Sequence, residues 1–241
     1  GSALKAVTLG AQMIKAGDAD IIVAGGMESM SNIPYVLENM RWGARMNDVK
    51  AKDAMVLDGL WCPENDVHMA VIGGQVASEY NVTREMQDAW SLRSQKLWAE
   101  GEAQGKFDDE RFVVEVPAQK GQTIIFDKDE APRPGTTMKG LAKLPPLFVK
   151  DGTVTAGNAP GTNDGASAIV IMSREKAEEL GAPILATIRG YAQASRESRY
   201  IATVPGLAIQ NLMEKNNLTV KDFDLMEINE AFAAVPLVSC L

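Results

Sequence analysis

The sequence predicts an α/β protein in which layers of helix and sheet are interrupted by a large inserted α+β segment. Two short runs, residues 21–24 and 168–172, are wholly apolar, as in strands buried on both faces of a helix-covered sheet. Residues 31–150 between them differ in composition, since the first part is rich in Met, Arg and Asn and shows little periodicity. So long an interruption is more typical of a subdomain than of a loop. A helix, an aspartate, an apolar run and a glutamate occur near both ends of the chain. This echo fits a duplicated α/β layer or a generic helix–strand pair.

The first predicted elements are a helix and a strand. Apolar residues at helical spacing predict a helix over residues 1–16, and Gly17 provides its stop. The apolar strand at 21–24 follows and is closed by Gly25. The chain therefore opens with one helix–strand unit.

The inserted segment contains one clear helix and two short strands. Thr83 can cap the helix, because its hydroxyl can accept from a free N–H of the first turn. Met86, Trp90 and Leu97 then share one helical face. The strands are predicted at residues 112–116 and 123–126.

Alternating strands and helices return from residue 152 onward. Ser173 can cap a helix that Gly181 ends. The other predicted elements are strands at 168–172, 183–189 and 225–228 and a helix at 205–215.

Composition and charge exclude several classes of protein. A formal net charge of −8 argues against a general nucleic-acid or anionic-membrane binder. No stretch reaches the ~18–20 apolar residues that span a bilayer, and no signal segment opens the chain, although a region upstream could carry one. Two distant cysteines, Cys62 and Cys240, form neither a disulfide framework nor a metal motif, which favours a reducing, cytoplasmic setting and no metal site. We expect Cys240, in an apolar stretch, to be a buried structural thiol.

Five sequence motifs are too specific to be generic α/β sequence, and they occur in a fixed order. They are residues 1–6 (GSALKA) with 24–30 (AGGMESM), 67–69 (VHM), 143–148 (KLPPLF), 152–159 (GTVTAGNA) with 163–166 (NDGA), and 229–234 (NEAFAA). Together these motifs resemble the thiolase family along the whole chain. Gly1-Ser2 also fits a remnant left by tag removal.

The resemblance implies a fold of two similar α/β halves, both partial here, with an inserted loop domain that holds coenzyme A. The implied domains are a partial N-terminal half at 1–30 and 153–184, the CoA-binding loop domain at 31–152, and the start of the C-terminal half at 185–241. In the family pattern a nucleophilic cysteine immediately precedes the glycine that is Gly1 here. A thiolate at a helix N-terminus gains a lowered pKa from the free N–H groups and the helix dipole. The family's Gly-His-Pro histidine and its second cysteine would fall beyond Leu241.

Asn229 is the catalytic candidate that the resemblance implies within this chain. The matching family asparagine positions a water that stabilises an enolate oxygen, which is preorganised hydrogen bonding at developing charge. The alternative is an N-cap, because an asparagine before Ala231 and Phe232 suits the start of a helix.

The resemblance implies that seven further residues contact coenzyme A or substrate. His68, the single histidine, would line the pantetheine channel, although a lone histidine is more often structural. Arg133 would lie near the nucleotide end with Lys139 and Lys143, whose alternative is a solvated basic face. The seven residues are His68, Met69, Arg133, Phe148, Ala156, Ala159 and Phe232.

Three departures from the family pattern affect the expected contacts. Pro160 stands where a serine commonly contacts the CoA amide chain, and Gly140 replaces a serine of some members. Ile201 replaces a methionine near the acyl pocket, so the acyl-length preference stays open, although the pair His68 and Met69 favours the short-chain branch.

The expected function is acyl transfer by a parent thiolase of fatty acid metabolism. It would condense two acetyl-CoA to acetoacetyl-CoA or thiolyse 3-ketoacyl-CoA, with CoA esters as substrates, no cofactor, and a homodimeric or homotetrameric assembly. The chain alone is expected to be inactive. The alternatives are a non-catalytic homologue that binds CoA esters and an oligomerisation fragment that uses Met40, Trp42 and Met46 as an exposed contact surface.

Overall fold

The computed structural model describes residues 1–118 and 121–241, which group into two compact units. The first unit comprises Gly1–Asp66, Thr162–Glu197 and Val204–Glu227, and the second comprises Val67–Gly161, Ser198–Thr203 and Ile228–Leu241. In chain order the regular elements are α1 (Ser2–Ala16), β1 (Ile21–Ser29), β2 (Tyr35–Leu37), β3 (Ala51–Asp53), β4 (Trp61–Cys62), β5 (Val67–His68), α2 (Met69–Glu79), α3 (Arg84–Ala103), β6 (Val114–Pro117), β7 (Thr123–Phe126), α4 (Met138–Leu141), β8 (Asp164–Met172), α5 (Arg174–Leu180), α6 (Val204–Asn216) and α7 (Ala234–Ser239).

The first unit is built on an antiparallel ladder between β1 and β8, which runs from Ile21 opposite Met172 to Ser29 opposite Asp164. Helix α1 packs on both strands. A Cβ at Gly26 would lie 2.7 Å from the Cβ of Ala3, so the small residues of the first motif allow the start of α1 to approach β1 closely. Both parts of that motif therefore meet.

The prediction that these strands are buried on both faces is wrong. Val23 and Val170 are 70% and 61% exposed, whereas Ala24 and Ile171 are buried. Side chains alternate between the two faces of a strand, and α1 covers the face that carries Ile171, whose Cδ1 lies beside Gly10. An apolar run shows that a strand is compatible with two covered faces, not that both are covered.

The predicted strands at 183–189 and 225–228 are wrong as regular elements. Both segments are irregular, with Leu185 94% and Leu225 86% exposed. A strand exists only where a neighbour completes its hydrogen bonds, and within residues 1–118 and 121–241 no ladder includes either segment.

The predicted helices and the remaining strands are confirmed. Gly17 and Gly181 end α1 and α5 in the left-handed region, at φ 82° and 62°. Ser173 caps α5, and Thr83 caps α3 by accepting from the Met86 N–H at 3.3 Å. Strands β6 and β7 pair antiparallel, with β6 beginning at Val114 instead of residue 112, and α6 matches the helix expected at 205–215. Strands β2 and β3, which also pair, were not predicted.

Helix α2 was not predicted, and the two units do not reproduce the predicted domains. Residues 31–66 of the expected insertion belong to the first unit and 67–152 to the second. Compactness does not separate family halves from an insertion, so the predicted boundaries stay a prediction.

The two cysteines and the residues of the proposed contact surface differ in exposure. Cys240 is exposed and Cys62 is buried, so the prediction of a buried Cys240 is wrong: α7 ends at Ser239 and Cys240 follows its last turn. Trp42 and Met46 are 88% and 84% exposed.

In the part of the chain that is described, no helix has both the length and the apolar character needed to cross a bilayer.

Candidate functional site

His68 begins α2 and has a defined tautomer. As the N-cap residue it accepts a hydrogen bond at Nδ1 from the Ala70 N–H at 3.1 Å. A nitrogen that accepts carries no proton, so the neutral ring has its proton on Nε2. Burial lowers the pKa of His68 below its ordinary value of 6.5. The ring is therefore held neutral, with one N–H left to donate.

Phe148 is held against His68 by a tight turn. The two rings stack with centroids 3.9 Å apart and an interplanar angle of 17°. The Val149 N–H donates to the Leu147 carbonyl at 2.8 Å, which closes a three-residue turn around Phe148. Phe148 has φ 64°, which is costly for a bulky side chain, yet the side chain is 63% exposed. This backbone strain presents an apolar ring to solvent rather than to a core.

The loop at 153–159 is organised by Asn158. Its buried side chain donates from Nδ2 to Asp88 Oδ1 and to the Thr153 carbonyl, both at 3.0 Å. Its Oδ1 accepts from the Thr155 N–H at 2.8 Å. The loop is therefore fixed from within by an amide, while Ala156 is exposed and Ala159 half-buried.

The loop also packs closely on the segment that leads to Phe148. A Cβ at Gly157 would lie 2.5 Å from Leu141 Cδ2 and 2.6 Å from Leu144 Cδ1. Only glycine fits this approach without movement of the two leucines.

The segment 229–233 is anchored at three points in the second unit. The Ala233 N–H donates to the Asn158 carbonyl at 3.0 Å. The Phe232 ring lies against Gly73 of α2, where a Cβ would come within 2.9 Å of Cδ2. The Glu230 carboxylate accepts from Trp90 Nε1–H at 2.7 Å and from Ser94 Oγ–H at 2.8 Å, both on α3.

Asn229 is exposed in this irregular segment and is not a helix cap. Helix α7 begins at Ala234, with Ala233 at its N-cap position. The N-cap alternative for Asn229 is therefore wrong, and its amide is available at the surface of an anchored segment. Its catalytic role stays a prediction.

Arg133 contacts helix α3 through its backbone. Its backbone N–H donates to Gln95 Oε1 of α3 at 2.6 Å, and its side chain is exposed. Among residues 1–118 and 121–241, no hydrogen bond or cation–π contact joins the Arg133 side chain to His68 or Phe148. Lys139 and Lys143 are also exposed, so the phosphate-facing and solvated interpretations of this basic group both stand.

The structure brings most of the predicted residues into one unit, through contacts that the sequence did not reveal. His68 stacks on Phe148 at the start of α2, and Met69 is the next residue of the chain. Ala156, Ala159 and Phe232 lie on segments joined by Asn158 and Ala233. The unpredicted residues that organise the site are Gly73, Asp88, Trp90, Ser94 and Asn158. One local signal existed for Asp88, which lies four residues after Arg84 and pairs with it.

A cleft of about 440 Å³ lies between α2 and residues 147–154. Ala70, Gly74 and Thr153 contribute to its wall, whereas the rings of His68 and Phe148 do not. The described residues contain no group of three or more His, Cys, Asp or Glu side chains arranged to hold a metal ion.

The three departures from the family pattern lie at accessible positions. Ile201 is 50% exposed, and Pro160 is exposed. Gly140 lies in α4, where its N–H donates to Thr137 Oγ1 at 3.1 Å. Nothing in these contacts restores the hydroxyl that a serine would supply.

Comparison with known proteins identifies the family. Residues 1–175 match the family "Thiolase, N-terminal domain", and residues 182–240 match "Thiolase, C-terminal domain". An acetyl-CoA acetyltransferase of Pseudomonas aeruginosa is 47% identical over 237 residues, which is 98% of this chain and 60% of that protein. The chain thus spans about 60% of the length of the relatives it matches.

Solved structures agree with the sequence comparison. The Bacillus anthracis acetyl-CoA acetyltransferase superposes with a TM-score of 0.94 at 39% identity, over 99% of this chain and 60% of that one. Human mitochondrial 3-ketoacyl-CoA thiolase in complex with CoA superposes with a TM-score of 0.92 at 38% identity, over 99% and 59%. These neighbours confirm the predicted α/β fold class, and the chain belongs to the thiolase family.

Proposed function

We propose that the protein from which this chain comes is a thiolase-type acyltransferase. It condenses two acetyl-CoA to acetoacetyl-CoA or thiolyses 3-ketoacyl-CoA through a cysteine acyl-enzyme, with CoA esters as substrates and no further cofactor. Relatives named acetyl-CoA acetyltransferase at 47–49% identity support this choice over a non-catalytic CoA-ester binder.

One geometric observation carries the proposal. The Ala233 N–H donates to the Asn158 carbonyl and so joins the segment bearing Asn229 to the loop bearing Ala156 and Ala159. A carbon acid bound as a thioester must have its CoA chain and its carbonyl oxygen held at once, because the enolate forms at a fixed distance from the thioester sulfur. A direct bond between these two segments meets that need.

The residues of this chain would share the work of binding and charge stabilisation. The stacked rings of His68 and Phe148 offer an apolar surface to the pantetheine chain, with the Nε2–H of His68 available as a donor. The Asn229 amide would hold a water beside the enolate oxygen, where a hydrogen bond strengthens as negative charge develops. Arg133, Lys139 and Lys143 would offset the phosphate charge that the net charge of −8 otherwise repels.

Calorimetric titration of the 241-residue chain with CoA tests the binding part of this proposal. Phe148→Gly is the informative variant, because it removes both the exposed ring and the cost of φ 64°. We expect binding to weaken while the thermal midpoint stays level or rises. The matched control is Phe112→Gly, which removes a ring that is 79% exposed in the same unit and should leave CoA affinity unchanged. Absence of binding by folded wild-type chain would contradict a preformed CoA site.

The chain alone should bind without turnover. Its 241 residues contain no Gly-His-Pro motif, and Asn229 is the catalytic candidate that the family resemblance implies within them. Thiolysis of acetoacetyl-CoA above the uncatalysed rate by this chain would contradict that expectation. Homodimeric or homotetrameric assembly, a cytoplasmic location and a role in fatty acid metabolism complete the proposal. Within the described residues neither Cys62 nor Cys240 takes part in a disulfide, which supports a reducing compartment.

A further inference from the structure

A buried carboxylate on α3 forms its hydrogen bonds, within the described residues, with Arg84 and Asn158 and not with a proposed ligand-binding residue. Asp88 is 2% exposed, and a buried charge is costly unless it is paired and hydrogen-bonded. Arg84, one turn earlier, donates from Nε to Asp88 Oδ2 at 2.8 Å. The other carboxylate oxygen accepts from Asn158 Nδ2 at 3.0 Å, across 70 positions of sequence.

The polar atoms of the Asn158 side chain and its backbone carbonyl all form hydrogen bonds. Its amide donates to Asp88 and to the Thr153 carbonyl, and it accepts from the Thr155 N–H. Its backbone carbonyl accepts from the Ala233 N–H at 3.0 Å. One residue therefore links α3, the loop 153–159 and the segment 229–234.

Arg84 extends the same network to a third segment. Its Nη2 donates to the Leu141 carbonyl at 2.7 Å and to the Leu144 carbonyl at 3.2 Å. These carbonyls precede Phe148, and Gly157 packs between the leucine side chains. Three of the segments that carry proposed CoA contacts, 141–148, 153–159 and 229–234, thus connect to α3 through Arg84, Asp88 and Asn158.

We propose that Asp88 and Asn158 are a buried positioning pair that fixes the spacing of these three segments, and so sets the affinity of the chain for CoA. The inference rests on the proposed function for its ligand. Neither residue is expected to touch the CoA itself. The Asp88 carboxylate orients Arg84 by its charge, and the Asn158 amide joins that carboxylate to the loop 153–159 by hydrogen bonds.

Exchanging the two residue types tests the pair. Asn158→Asp removes the amide donor and sets two carboxylates about 3 Å apart, where one must take up a proton or move away. Adding Asp88→Asn to that variant restores a hydrogen bond between positions 88 and 158, now donated by the amide at 88 to the carboxylate at 158. The amide oxygen at position 88 still accepts from Arg84 Nε. The Thr153 carbonyl alone then lacks its donor, so rescue should be incomplete.

Hydrogen exchange and CoA titration provide the two measurements. We expect Asn158→Asp to raise exchange within 141–148, 153–159 and 229–234 while exchange in the middle of α2 stays near wild type. We expect the same variant to weaken CoA binding about tenfold, as for loss of a charge-assisted hydrogen bond, and the double variant to regain most of both. In Asn158→Asp the affinity, relative to wild type at each pH, should improve on acidification, because a shared proton restores an O–H donor.

A matched core variant separates positioning from general loss of stability. Val238→Ala removes part of a buried side chain of α7 in the same unit, and Val238 takes part in none of the hydrogen bonds of the network, so this variant should lower the thermal midpoint alone. It should leave CoA affinity near wild type at a temperature where both proteins are folded. Equal losses of affinity in Val238→Ala and Asn158→Asp, or a double variant no better than Asn158→Asp, would overturn the proposal. If the wild type binds no CoA, the proposed function fails, and the exchange pattern decides the positioning pair by itself.

Discussion

Replacing Gly73 with alanine should destabilise the second unit relative to the same replacement at Gly74. The two glycines are neighbours in the middle of α2, so both changes bring the same gain in helix propensity. Their surroundings differ. A Cβ at Gly73 would lie 2.9, 3.2 and 3.3 Å from three atoms of the Phe232 ring, whereas a Cβ at Gly74 would meet Thr153 and Val154 at 3.7 Å.

These distances set the expected magnitudes. Alanine in place of glycine stabilises a helix interior by about 1 kcal/mol, and contacts at 3.7 Å add no strain, so Gly74→Ala should be more stable than wild type by that amount. Overpacking costs about 1–3 kcal/mol, because the Phe232 ring and its neighbours must shift to make room for the new Cβ. Gly73→Ala should therefore lie about 1–3 kcal/mol below Gly74→Ala in free energy of unfolding.

Urea unfolding followed by far-ultraviolet circular dichroism measures this difference, with equal slopes required for the comparison. A second arm uses Phe232→Leu, which removes the ring from Gly73. In that background the two alanine variants should become nearly equal in stability, and the coupling measured by the cycle should account for most of their original difference. Equal stability of Gly73→Ala and Gly74→Ala in the wild-type background would refute the close contact between α2 and Phe232.

Three further predictions concern the same unit. His68→Gln should flatten the pH dependence of stability below about pH 6.5. Burial lowers the pKa of His68 in the folded chain, so the unfolded chain binds the proton more tightly and wild-type stability falls as the pH drops. Thermal unfolding of both proteins over a series of pH values would measure this loss. Glu230→Ala should raise hydrogen exchange at 228–233, because the acceptor for Trp90 and Ser94 is lost, and the exposed Glu100→Ala on α3 serves as its control. Gly157→Ala should lose about 1–3 kcal/mol in urea unfolding, since its Cβ would meet Leu141 and Leu144 within 2.6 Å, while Gly135→Ala, with nothing within 4 Å, should change little.

Local chemistry explains why several elements could be predicted. Helices α1, α3 and α5 carry their own boundaries: Gly17 and Gly181 take left-handed φ, and Thr83 and Ser173 accept from first-turn N–H groups. Each of these signals acts within four residues. A sequence read alone is sufficient wherever the determining contact is that short.

Helix α2 and the strand faces could not be predicted for the opposite reason. Gly73 and Gly74 weaken the helical signal of α2, and the requirement for glycine at 73 comes from Phe232, far along the chain. Burial of β1 depends on what covers each face, and residue 23 is as apolar as residue 24 although only the latter is covered. For β1, apolar composition therefore predicted the strand but not which of its faces is covered.

In the candidate site, too, residues with a local sequence signal could be predicted and long-range contacts could not. The family motifs identified His68, Phe148 and Asn229 from residue identity, whereas the spacing of Asp88 from Arg84 indicated a helical ion pair but not the long-range contact with Asn158. The proposed ligand-binding residues lie largely on irregular segments, which have no ladder or helix of their own to hold them. Their geometry must come from the helices beneath them, through the Asp88 network, the Glu230 anchor and the glycine contacts at 73 and 157. Substitutions that break the buried network of Asp88 and Asn158 should consequently alter CoA affinity as strongly as substitutions of the exposed side chains that would touch the ligand. Titrating Asn158→Asp beside Phe148→Gly compares the two kinds of site directly.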